Sequence, residues 1–124
     1  MSNDTVVRCS GLQAGACPHP FDSVTQGQGF GASPGENYKW YCAQCHGLNG
    51  KGDGPNATKE QPVTPRDHTD TKGMSKLTDA DIENVIRDGG KATGKSTMMP
   101  PWGKTMTDAE IKELVKYLRQ LCKC

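Results

Sequence analysis

Residues 40–47 read WYCAQCHG. Two cysteines stand two residues apart, and a histidine directly follows the second. Three chemistries use this spacing: a thiol–disulfide redox pair, half of a zinc site, and the attachment point of a c-type haem. The rest of the chain has to choose among them.

A redox-active CxxC sits at a helix N-terminus, where the dipole lowers a thiol pKa, usually after a strand. Here the sequence puts the pair at the far end of a helix. The stretch SPGE supplies its start: Ser33 caps, Pro34 takes the first helical position, and Glu36 completes a capping box. The helix then carries Tyr38, Trp40, Tyr41 and Cys42 and ends near Gly47. At that end the dipole opposes thiolate formation. A zinc site needs two further ligands at matching spacing. Cys122 and Cys124 are separated by a single residue, and His68 stands alone. That leaves haem, in which the thiols of Cys42 and Cys45 form thioethers with the porphyrin vinyl groups and His46 lies beneath the iron.

Composition agrees with a chain that folds around something. Its 124 residues are enough for one domain. Leu, Ile, Val and Phe together make up only 17 of them, below the ~20% of ordinary globular domains. A formal net charge of +1 is not that of a disordered tail, while 15 Gly and 8 Pro point to long loops. A large apolar cofactor would fill the centre, and disulfides would help. Near-neutral charge argues against nucleic-acid or membrane-surface binding, and no run approaches the ~18 apolar residues of a membrane span. MSNDTVVRCS has no charged-then-apolar signal pattern. The expectation is a mature chain whose export signal is gone, and six cysteines favour an oxidising compartment.

Residues 1–32 read as a Gly/Pro-rich arm, and 33–124 as the folded domain. The segment 47–77 reads as one long loop, acceptable in a compact domain if it wraps a cofactor. TDADIENVIRDGG opens a second helix: Thr78 and Asp81 form a capping box, Ile82, Val85 and Ile86 make an apolar stripe, and Gly89 stops it. TDAEIKELVKYLRQL is the clearest helix, boxed by Thr107 and Glu110, with Ile111, Leu114, Val115, Leu118 and Leu121 on one face. No sustained alternating pattern appears, so the expected fold class is all-α. Between these helices, STMMPPWG offers thioether sulfurs on a stiff strap. Met99 precedes Pro100, which favours extended backbone, and two prolines remove two N–H donors.

With CAQCHG followed by NGKGDGP, the MPPWG strap and the two helices LTDADIENVI and MTDAEIKELVKYLRQL, the chain resembles a class I, mono-haem bacterial cytochrome c over roughly residues 33–121. The resemblance implies three to five helices around one covalently bound haem c. His46 would be the proximal ligand and the methionine before the proline, Met99, the distal one, with Met98 and Met106 as rivals. It implies crossing of the first and last helices, with Tyr38 against Leu114, Tyr117 and Leu118. A proline carbonyl, Pro65 rather than Pro62, would accept the proximal histidine's other N–H. Trp40 and Trp102 would pack around the haem, and Trp102 could donate to a propionate. The implied function is single-electron transfer between redox proteins as donor and acceptor, not catalysis, in the periplasm or on the outer surface. Rival roles are an enzyme or gas sensor with a labile methionine, and a haem domain docked in a larger respiratory or extracellular complex.

Some features lie outside that pattern. Cys9, Cys17, Cys122 and Cys124 are even in number, and bridges from arm to tail are expected, with Cys9–Cys17 pairing as the rival. His19 and His68 read as loop histidines, His68 near the cofactor. Lys51, Lys59, Lys72, Lys76, Lys91, Lys95 and Lys104 fall in the two loops expected to frame the haem edge. They read equally well as solvated surface or as a docking ring for an acidic partner.

Overall fold

A computed structural model describes residues 32–124. The arm, with Cys9, Cys17 and His19, lies outside the described residues.

Three helices begin at the three capping boxes that the sequence carries. At the first, the Glu36 backbone N–H donates to Ser33 Oγ at 3.3 Å while the Ser33 N–H donates back to the Glu36 carboxylate at 2.9 Å. Each box satisfies two helix-end donors that would otherwise lack a partner. The first helical stretch changes pitch along its length. It runs as α1 (Pro34–Asn37), a wide π turn (Tyr38–Cys42) and α2 (Ala43–His46), with the Ala43 N–H reaching back five residues to the Tyr38 carbonyl. The wide turn buries both Tyr38 and Cys42. Gly47, at φ +82°, ends the helix directly after His46.

The segment after Gly47 is not wholly loop. Asp70 caps a single helical turn, α3 (Thr71–Met74), which buries Met74. Helix α4 (Asp79–Ala92) leaves helical geometry at Gly89 (φ +81°), where the sequence places its stop, and then winds one further turn. Helix α5 (Asp108–Cys122) buries Ile111, Leu114, Val115 and Leu118, with Leu121 half-buried. It packs against both α1 and α4. The expected crossing is present, with the Tyr38 and Tyr117 rings 5.2 Å apart. Among the described residues no strand forms, and the class is all-α.

Arg119 was not singled out by any sequence motif, yet it clamps α5 to the α3–α4 junction. Its guanidinium donates to the Asp79 carboxylate at 2.9 Å, the Met74 carbonyl at 3.0 Å and the Leu77 carbonyl at 2.6 Å. The tail also departs from expectation. Cys122 is bonded to Cys124, not to the arm. Lys123 adopts the left-handed conformation (φ 54°) just beyond α5 and folds the chain back, bringing the two Cα atoms to 5.3 Å. The arm-to-tail bridges are thereby corrected to a local one.

Candidate cofactor site

The helices enclose a cavity of about 520 Å³, within the ~300–1,000 Å³ typical of small-molecule sites. Its wall draws on every part of the fold. The first helical stretch gives Cys42, Cys45 and His46, α4 gives Ile82 and Ile86, and α5 gives Leu114 and Leu118. The loop before α3 gives Pro65 and His68, and the strap gives Met98, Met99 and Trp102. Most of this lining is apolar, and so few aliphatic residues leave room at the centre for a large apolar group.

His46 has one ring nitrogen that could bind a metal. Its Nδ1–H donates to the Arg66 carbonyl at 2.9 Å, which leaves Nε2 as the lone-pair nitrogen of the neutral ring. Burial holds the imidazole below its ordinary pKa, with the hydrogen bond to Arg66 opposing. This contact corrects the expectation for Pro65. The acceptor is the next carbonyl along, while the Pro65 carbonyl lies close against Gly52, where a Cβ would collide with it. Pro65 still lines the cavity.

The thiols do not suit redox exchange. Burial pushes the Cys42 thiol up to about 12, so little of it is thiolate at neutral pH. Nor do they suit zinc: among the described residues no group of three His, Cys, Asp or Glu side chains is gathered to hold a metal. Thiols, a neutral histidine and an apolar chamber fit a haem.

The strap is hung from the end of α4 by backbone bonds. Gly90 N–H donates to the Met99 carbonyl at 2.9 Å, Trp102 N–H to Ile86 at 2.9 Å, and Gly103 N–H to Arg87 at 3.0 Å. Met99 is half-buried in the cavity wall, whereas Met98 is about half exposed and Met106 is buried in the core away from the cavity. Gly90 permits this closeness. A Cβ there would collide with the Ser96 carbonyl oxygen and lie 3.2 Å from Met99 Cβ. Gly90→Ala is therefore expected to displace the strap and cost ~1–3 kcal/mol in denaturant unfolding.

The two tryptophans part company. Trp102 is half-buried against Tyr41, ring centroids 5.0 Å apart, but Trp40, though it lines the cavity, is 66% exposed. All seven lysines expected in the loops are exposed, but Lys72 lies in α3 and Lys91 in α4. His68 is the residue that sequence reasoning placed only loosely. It is buried, its Nδ1 lies 2.9 Å from Tyr38 Oη, and burial with the neighbouring His46 and Arg66 pushes its pKa down to about 3. Its signal was weak, because its partner lies 30 residues earlier in the chain.

A family model described as cytochrome c oxidase, cbb3-type, subunit III matches residues 30–118, the whole span of the cavity lining. The chain belongs to this family. It is a class I-like cytochrome c, and haem-based electron transfer is the role that comes with such a domain. Among solved structures it is similar to the KustC0563 c-type cytochrome, at 24% identity and TM-score 0.59, over 73% of this chain and 98% of that one. That likeness concerns the fold. It is also similar to a chain of the Kuenenia stuttgartiensis reducing HAO-like protein complex Kustc0457/Kustc0458, at 30% identity and TM-score 0.57. The match covers 72% of this cytochrome but only 42% of that longer chain. No curated protein matches it.

Proposed function

We propose that this cytochrome is a mono-haem electron carrier in which Cys42 and Cys45 hold haem c through thioether bonds and His46 and Met99 are the axial ligands. The observation that carries the reading is the Nδ1–H bond from His46 to the Arg66 carbonyl, which leaves the other nitrogen free for a metal and would raise its donor strength. When bound, the haem supplies one-electron cycling of its iron between ferric and ferrous states. The chain's own contribution is placement and dryness. Ile82, Ile86, Leu114 and Leu118 exclude water, His46 and Met99 would close both axial positions, and Trp102 would donate its indole N–H to a propionate. Were His46 and Met99 both to hold the iron, they would leave no position open for substrate or oxygen, which favours a carrier over an enzyme or gas sensor.

The partners would be redox proteins, reached where the exposed Trp40, Met98 and Lys95 line the cavity. Haem c attachment further implies an exported protein, in the periplasm or on the outer face of the cell. The likeness to one chain of a multiprotein complex supports a second setting for the same chemistry, in which the domain works docked in a larger assembly.

The deciding experiment is the visible spectrum of the full chain, oxidised and reduced, after acid–acetone extraction and after carbon monoxide. Haem that resists extraction, a sharp low-spin reduced spectrum and no carbon monoxide shift are expected. Extractable haem would overturn thioether attachment, and a carbon monoxide shift would overturn the closed axial site.

A further inference from the structure

Beside the half-buried His46 sits a buried imidazole, His68. The His46 and His68 ring centroids are 4.1 Å apart and their planes differ by only 20°. His68 is itself held at two points. Its backbone N–H donates to the Gly50 carbonyl at 2.6 Å, and its Nδ1 shares a hydrogen bond with Tyr38 Oη. Tyr38 is 1% exposed and wedged against Tyr117 of α5, so the anchor is rigid.

Space-filling alone does not explain this pair. An apolar side chain would fill the same volume with no polar group to desolvate, whereas a buried imidazole or phenol costs free energy unless hydrogen-bonded. Tyr38 and His68 satisfy each other, and the product is a flat ring fixed in orientation against the face of His46. The bond to the Arg66 carbonyl holds one edge of His46. The stacked His68 ring adds a second restraint, on the plane of the ring.

We infer that Tyr38 and His68 are positioning residues for the axial histidine: the Tyr38 hydroxyl orients the His68 ring, and the His68 ring fixes the plane of His46. The inference rests on the reading of His46 as the haem ligand. Ligand-plane orientation sets how imidazole orbitals meet those of the iron, so the effect is read in the spin distribution of the ferric state and not only in stability.

The test uses the full haem-loaded chain, with electron paramagnetic resonance and hyperfine-shifted proton spectra of the oxidised form. His68→Leu removes both the ring and the bond, and is expected to change the g-values and the order of the haem methyl resonances. Tyr38→Phe removes one oxygen and should move them in the same direction by less. His68→Phe restores a stacking ring and should return the pattern part-way to wild type. Ile111→Val trims the core outside the cavity lining and should lower stability while leaving the spectra unchanged. Wild-type g-values and methyl order in both His68→Leu and Tyr38→Phe would overturn the inference. If His68→Leu takes up no haem, an unchanged Tyr38→Phe spectrum overturns it alone. A wild-type protein without an iron–histidine signature would instead defeat the underlying assignment, before any variant is compared.

Discussion

Met99→Ala is expected to turn a closed haem site into an open one. The variant should keep its covalent haem, since Cys42, Cys45 and His46 are untouched, but lose the methionine-to-iron charge-transfer absorption and bind carbon monoxide when reduced. Its reduction potential should fall by on the order of 100 mV or more, a modest part of the roughly 0.8 V that axial ligands span across haem proteins. Met98→Ala is the control. Met98 is half exposed on the same strap, so its loss should leave absorption and potential near wild type. The opposite pattern would move the ligand assignment to Met98. Strap position is backbone-determined, through the bond from Gly90 to the Met99 carbonyl, so neither substitution removes the scaffold that presents the sulfur.

The second large effect is on stability. Leu114 is fully buried at the heart of α5 and also lines the cavity. Leu114→Ala should cost ~2–5 kcal/mol, the sum of lost burial and the void left behind. Leu48→Ala, at a residue 67% exposed, should stay within ~0.5 kcal/mol of wild type. Both are measured by denaturant unfolding at equal haem loading. A Leu114→Ala loss no greater than that of Leu48→Ala would mean that α5 does not carry the core.

What could be read from sequence here was local. Ser33, Thr78 and Thr107 announce their helices because a capping box is complete within four residues. CAQCHG needs no tertiary knowledge, and the stripe of α5 follows from its own periodicity. What escaped depends on chain segments meeting. Arg119 makes sense only beside the carbonyls of Met74 and Leu77, some forty residues away. The acceptor for His46 is a backbone oxygen, and one step of loop register separates Pro65 from Arg66. His68, in a stretch rich in glycine and proline, reads as a loop residue near the cofactor, and its anchoring is hidden until Tyr38 is known to reach it. Cysteine pairing is combinatorial, and only the left-handed turn at Lys123 shows that Cys124 falls back onto Cys122.

The wide turn at Tyr38–Cys42 makes the first helical stretch behave like two gears on one shaft. In a uniform α-helix each added residue rotates everything downstream by about 100°. One extra residue between Ser33 and Cys42 would then swing the thiols and His46 off the cavity, or swing Tyr38 off α5. The five-residue hydrogen bond from Ala43 to Tyr38 absorbs that residue locally. The face that meets α5 and the face that meets the cavity are thus phased independently. A relative one residue shorter in this interval can keep both faces by giving up the wide turn. A length change in Ala43–His46 has no such slack to draw on.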